Sequence, residues 1–469
     1  MEGMLTSTRD IEKKEISYTD ALLQGLAPDG GLYVPSEYPQ ISIEELKHLK
    51  KSSYPELAFE IKKKLVGDFI SEDKLKIMLE TAYSEPKFNT KNLNTVPVNK
   101  IEGNLFVQNL SLGPTAAFKD MAMQVLGQEM DHVLNQKDEK LTILGATSGD
   151  TGSSAEAAFK GLKNIKLFML SPKIGMSDFQ RAQMGNLTGE NIFNISVEGR
   201  FDDCQDLVKG LKNTEEFKKL GAVNSINWGR ISSQVPYYVS GYLQAVENVG
   251  DAIDFAVPSG NFGNVLAGYI AKKMGLPIRR LIIATNENNV LDKLIKTGIY
   301  ELTPAEITSS PSMDISKASN YERLVFDILQ RDPEKVVKYM TKFNEEGKVD
   351  FTEFGIDKSI FSEMGFSSGS STHQNRLDTI KEVYDKCGII IETHTADGVF
   401  VGKQFKEELP MVCMQTAMPV KFENVIEESL GFIPEREERF KGLEDIKEGS
   451  FHLINNNEEE LKDYIRKTS

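Results

Sequence analysis

The run at residues 111–126, SLGPTAAFKDMAMQVL, places Lys119 just after a Gly113-Pro114 turn and near the start of a helical pattern. A lysine amine titrates at about 10.4 in water, so at neutral pH it is an ammonium with no free electron pair. Two features favour the neutral form here. The first turn of a helix carries partial positive charge, and Ala116, Ala117, Phe118, Met121 and Met123 would strip water from the amine. A neutral lysine in such a pocket is how a Schiff base with an aldehyde cofactor is made. The bland alternative is a lysine that only snorkels from an amphipathic helix.

Two glycine-rich runs sit between a strand pattern and a helix pattern: Thr147-Ser148-Gly149-Asp150-Thr151-Gly152, and Ser259-Gly260-Asn261-Phe262-Gly263-Asn264. Glycines let the backbone approach a ligand, and the first N–H groups of the following helix point at it, so each run is a potential anion seat. Either run alone is also a common packing device. Together with an activated lysine they match a phosphorylated aldehyde cofactor, which needs one amine and one phosphate cradle, and an amino-acid substrate, whose carboxylate takes the second cradle. Pyridoxal phosphate fits that inventory. A nicotinamide site would want GxGxxG and an acid about 20 residues on, and SGNFGN lacks that spacing.

The elements that must position these groups follow from periodicity. Residues 4–9 read as a strand, Thr19 or Asp20 as the cap of a helix ending at Gly25, and Ser42 with Glu45 as a capping box. Helical patterns cover residues 54–65 and begin again at Ser71, and the polar stretch 85–95 reads as a linker. Beyond it strands and helices alternate, which implies parallel sheets flanked by helices. Residues 308–320 and 367–372 read as polar loops, 388–391 as a buried strand leading to His394, and 411–414 as a strand ending at Thr416.

With 469 residues the chain has room for about two to four domains, and its formal net charge of -15 argues against a nucleic-acid partner. Cys204, Cys387 and Cys413 are odd in number and far apart, as expected of reduced thiols in the cytoplasm, with no zinc spacing. The start, MEGMLTSTRD, lacks the pattern of a signal peptide, and no apolar run approaches a membrane span. The expectation is a soluble cytoplasmic protein.

Seven runs, GPTAAFKDMAMQ, ATSGDTGSSA, VNSINWGR, VPSGNFGNVLAGY, NENNVL, SPSMDISKASN and HTADG, occur in this order, with APDGGLYVP ahead of them. Together they resemble the threonine synthase family, pyridoxal phosphate enzymes of the tryptophan-synthase-β-like α/β fold. The resemblance implies two sheet domains with an α-rich N-terminal domain: 1–92 N-terminal, 93–118 with 216–469 the large domain, and 119–215 a smaller mobile one. It implies conversion of O-phospho-L-homoserine and water to L-threonine and phosphate, in a monomer or homodimer. By motif, Lys119 would carry the cofactor, Gly260, Asn261, Phe262, Gly263 and Asn264 would seat its phosphate, and Thr416 would face its ring nitrogen. Thr147, Ser148, Gly149, Asp150 and Thr151 would take the substrate carboxylate; for the substrate phosphate the candidates are Arg230 with Asn227, and in addition Arg181 or Lys173.

Leu112 and Met418 stand where many family members have histidine, and His394 is a candidate proton carrier or a structural histidine. Two rivals keep the same lysine: a related lyase acting on serine, threonine or their phosphate esters, and a non-catalytic relative that binds the cofactor.

Overall fold

The computed structural model describes residues 3–468, apart from 86, 89–93, 175, 213, 218, 219, 222, 447 and 448. Most of the expected linker, and the expected boundary at residues 92 and 93, lie outside the described residues.

The N-terminal part pairs Leu5–Ser7 antiparallel with Glu15–Ile16 and Tyr33–Pro35, then adds helices Tyr18–Gln24, Ile43–Leu49, Tyr54–Val66 and Glu72–Ala82. The capping box at Ser42 and Glu45 forms as its residue types dictate. The first helix is capped by Ser17, which accepts from the Asp20 N–H at 3.1 Å, rather than by Thr19 or Asp20. Serine at the preceding position has the extended backbone that a cap requires.

This part is pinned to the rest by buried charge. Lys62 Nζ lies 3.0 Å from Glu129 and donates to the hydroxyls of Ser232 and Ser233, while the Tyr18 hydroxyl donates to Glu129 at 2.8 Å. Burial pushes the Lys62 amine down and the Glu129 carboxyl up, and each charge opposes the shift of the other. Glu129→Ala would leave Lys62 charged in the interior without a counter-ion. It is expected to cost about 3–5 kcal/mol, read as a fall in the urea midpoint.

Two sheets carry the loops of interest. The six-stranded sheet runs in the order Phe366–Ser370, Ile278–Thr285, Ile253–Pro258, Met411–Gln415, Leu105–Asn109, Val98–Glu102, parallel except for the last pair. The four-stranded sheet is parallel throughout: His452–Asn455, Ile192–Glu198, Ile165–Pro172, Leu141–Ala146. The Lys119 run, the Gly260 run and Thr416 all follow the carboxyl ends of neighbouring parallel strands of the first sheet. The Thr147 run follows a strand of the second. Crevices outside such strand ends are where open α/β sheets bind ligands.

The sequence reading is corrected at three places. The end of the chain does not join the large domain, because His452–Asn455 pairs in parallel with Ile192–Glu198 of the other sheet. Helix Glu458–Thr468 then buries Leu461 and Ile465 in one core with Cys204, Leu207 and Leu211. Residues 366–370 are an edge strand rather than loop. Gly369 leaves room for Val401, where a Cβ would come within 2.8 Å, and the Ser368 hydroxyl donates to Asp292 at 2.8 Å, so small polar residues suit the position. Residues 388–391 form no strand. Gly388, at φ 70°, ends helix His373–Cys387, and the apolar residues after it cross directly to helix Thr393–Gln404, whose first turns hold His394. Among the described residues no helix is long and apolar enough to cross a membrane.

Candidate active site

Lys119 is the first residue of helix Lys119–Lys137. The turn before it is locked to the Thr416 run: the Phe118 N–H donates to the Thr416 carbonyl at 2.8 Å, and the Met418 N–H to that of Ala116 at 3.0 Å. Lys119 Nζ lies 3.1 Å from Asp150 Oδ2. Burial pushes the amine below its ordinary value, Asp150 opposes the shift, and the cations Lys421 and Arg230 reinforce it. The two effects foreseen for Lys119, desolvation and a helix start, are thus present.

Around Lys119 opens a cleft of about 800 Å³, counting the space continuous with solvent, bordered by Asp150, Arg230, the Ser259-to-Asn264 run, His394 and Thr416. Phe262 takes a left-handed backbone conformation, φ 64°, which turns the chain into helix Gly263–Lys273. Its ring is buried 5.9 Å from that of Tyr321, so only its backbone is available to a ligand. At Gly260 a Cβ would meet Ile315 at 2.9 Å and the Met313 Cα at 3.0 Å. The Asn264 side-chain Oδ1 accepts from the hydroxyls of Tyr237 and Tyr238 at 2.7 and 2.8 Å, which aims the amide nitrogen the other way. That nitrogen, the Ser259 hydroxyl and Arg230 Nε are all buried without a hydrogen-bond partner. Unpartnered buried donors are costly, and an oxyanion ligand is what such a set would satisfy. The Asn264 nitrogen and the Ser259 hydroxyl, beside the backbone of the 260–264 run, therefore fit the phosphate end of pyridoxal phosphate, with Lys119 available to its aldehyde and Arg230 left for a second anion.

On the opposite wall the Thr147 hydroxyl accepts from the Gly149 and Gly152 N–H groups at 3.0 and 2.9 Å and so shapes the loop from beneath. Asp150 and Thr151 border the cleft, whereas Ser148 is exposed and Thr147 and Gly149 lie outside the lining. Burial alone would push the Asp150 carboxyl up. Lys119, Lys421 and a hydrogen bond from Gln180 hold it well below the usual carboxylate range.

Arg230 is buried and borders the cleft; Nη1 donates to the Val223 carbonyl at 2.9 Å, and burial pulls its pKa down to about 10. Asn227 does not reach the cleft. Its amide nitrogen donates to Leu22 and its oxygen caps helix Trp228–Ser232, so both ends are committed. Arg181 and Lys173 also lie outside the lining: Arg181 rests on the Phe451 ring, and Lys173 pairs with Glu198.

Thr416 borders the cleft with its hydroxyl 3.5 Å from Glu392. The His394 Nδ1 lies 2.7 Å from Glu392, and its Nε2 accepts from the Ser312 N–H at 3.0 Å. Both ring nitrogens are occupied, as in a structural histidine that pins the loop at 308–320 to the cleft. Leu112 and Met418 meet at Arg439, whose guanidinium donates to the carbonyls of Leu112 and Gly113 and contacts the Met418 sulfur at 3.4 Å.

Sequence reasoning missed Lys421, Gln180, Ser312 and Glu392. Ser312 stood inside a run already singled out, SPSMDISKASN, and Lys421 follows the named Thr416 by five residues, but only the tertiary structure aims them at Asp150.

Models of known families match almost the whole chain: the threonine synthase N terminus at residues 4–83, pyridoxal-phosphate dependent enzyme at 89–342, and the threonine synthase C-terminal part at 395–465. The chain is 48% identical to a threonine synthase of Methylobacillus glycogenes over 454 residues, 94% of each chain. It superposes on the pyridoxal-phosphate-bound threonine synthase of Brucella melitensis with a TM-score of 0.94, at 40% identity, over 99% of each chain. The yeast threonine synthase gives 0.92 at 34% identity, over 100% of this chain and 99% of that one. The chain belongs to the threonine synthase family of pyridoxal-phosphate-dependent enzymes.

Proposed function

We propose that the cleft converts O-phospho-L-homoserine and water to L-threonine and phosphate. The observation that carries this reading is the meeting, in one cleft, of an amine pushed toward neutrality with buried donors that lack partners, Asn264 and Arg230.

When bound, pyridoxal phosphate supplies a conjugated ring that accommodates the electron pair left as a proton leaves the substrate α-carbon. Lys119 would hold the cofactor through Nζ and, as the free amine, would take the substrate α-proton and later return it. Asp150 steadies the ammonium that Lys119 then becomes. The 260–264 run and Ser259 hold the cofactor phosphate, and Thr416 serves its ring nitrogen with a hydroxyl. Thr151, with the first N–H groups of helix Asp150–Phe159, holds the substrate carboxylate at the positive end of the helix. Arg230 grips the γ-phosphate and steadies the charge that grows on it as it leaves. Closure of the four-stranded sheet over the cleft, with residues 119–215 and 452–468 moving together, would keep bulk water out until the hydration step. The thiols of Cys204, Cys387 and Cys413, free of disulfides, support the cytoplasmic setting expected from their spacing.

The test is a steady-state comparison of phosphate and threonine release from phosphohomoserine with deamination of serine, threonine and their phosphate esters. Threonine formation should exceed deamination of serine and threonine by about 10⁴-fold in kcat/KM, the discrimination of a site whose polar groups a rival leaves unpaired, and deamination of their phosphate esters, which keep the phosphate, by about 10- to 200-fold. Equal rates would overturn the reading in favour of a general lyase.

A further inference from the structure

Asp150 is bonded on both of its oxygens by groups from opposite walls of the cleft. Oδ2 receives Lys119 at 3.1 Å and the Ser312 hydroxyl at 3.3 Å. Oδ1 receives the Gln180 amide at 2.9 Å and Lys421 Nζ at 2.8 Å. The Lys421 side chain is fully buried, and its remaining contact is the Thr115 carbonyl at 2.8 Å. Thr115 is fixed in turn by Asp120, which takes its N–H at 2.8 Å and its hydroxyl at 2.7 Å. A buried ammonium is costly unless it is paired. Among the described residues its one ion pair is with the carboxylate that also holds Lys119.

The consequence is electrostatic. Were Asp150 paired with Lys119 alone, the two would form a tight buried ion pair, and Lys119 would be held as an ammonium unable to attack a carbonyl carbon. With Lys421 present, Asp150 is neutralised from its other side. The carboxylate can then steady Lys119 when it is charged without trapping it there. The other charged groups facing this cluster are Arg230, which acts on Lys119 in the same sense as Lys421, and the buried Asp120 behind Thr115. His394 reaches the cluster only through the Ser312 backbone.

We propose that Lys421 is a positioning residue for Asp150, holding its carboxylate between two ammonium groups so that Lys119 is released as a free amine for capture of the cofactor aldehyde. Capture joins the Lys119 nitrogen to the aldehyde carbon as a C=N bond, with the carbonyl oxygen leaving as water. The inference rests on Lys119 being the capturing amine.

The test follows uptake of pyridoxal phosphate by the full chain stripped of cofactor, read by absorbance as a function of pH. Lys421→Met is expected to move the midpoint of the uptake rate up by about one pH unit, slowing capture at pH 7 about tenfold, and Lys421→Arg to restore it. Because Lys421→Met replaces a fully buried side chain that also donates to the Thr115 carbonyl and so can disturb folding, the deciding pair is Asp150→Asn and the double variant Asp150→Asn/Lys421→Met. The single change should lower the midpoint, by leaving Lys421 unbalanced beside Lys119, and the double change should bring it back to the wild-type value. Equal midpoints in those two variants overturn the proposal. Uptake that survives in Lys119→Ala overturns it too, together with the assignment of Lys119 beneath it.

Discussion

Lys119→Ala is expected to lower threonine formation by at least about 10³-fold and to abolish the absorbance band of bound pyridoxal phosphate, while the thermal midpoint stays within a few degrees of wild type. The size follows from the two tasks assigned to one nitrogen. It anchors the cofactor, and it moves a proton at the substrate α-carbon, a step that by itself is worth about 10²–10⁴-fold. Stability should change little, because removing Lys119 leaves Asp150 still ionised and paired with Lys421 at 2.8 Å. Added small amines should restore part of the proton transfer. A variant that keeps both the band and the rate would remove Lys119 from the chemistry altogether.

Arg230→Ala is expected to lower kcat/KM for phosphohomoserine by about 10²–10³-fold, the loss seen when one partner of a buried, hydrogen-bonded charge pair is taken away. Its pKa, near 10, still leaves the guanidinium charged at neutral pH, buried, with Nε unpartnered. Such a group is held at a cost until an anion arrives, and a phosphate monoester matches its fork of donors. The thermal midpoint of the variant should therefore be equal to wild type or higher. Lys at this position should recover little, since an ammonium lacks the planar fork. Cofactor affinity should move far less than kcat/KM; an equal fall in both would assign Arg230 to the phosphate of the cofactor instead.

What could be read from the sequence was whatever is local. The Lys119 turn, the two glycine-rich runs and the caps at Ser42 and Ser71 are short-range devices, and each falls within a residue or two of its expected place. The capping box at Ser42 depends on four consecutive residues and nothing else. Lys421, Gln180 and Ser312 were invisible for the opposite reason. A polar residue in a helical or loop pattern reads as solvated, and only the docking of two sheets makes those three converge on Asp150. Asn227 erred the other way: its motif marked it as a binder, yet its side chain holds a helix start and the Leu22 carbonyl. Residues 366–370 failed on propensity, since Ser and Gly favour loops until a neighbour such as Val401 needs the space.

The pairing of His452–Asn455 with Ile192–Glu198 bears on how the molecule is made. The smaller sheet is begun early in the chain, yet its last strand is synthesised only after every strand of the larger one. Until then the nascent protein presents the bare flank of a parallel sheet, a template for adhesion to other chains. Completion demands closure across a very long loop, which is intrinsically slow. Clipping strand His452–Asn455 together with helix Glu458–Thr468 should thus harm the yield of native protein from the ribosome far more than their distance from Lys119 suggests, and chaperone dependence is the symptom to look for.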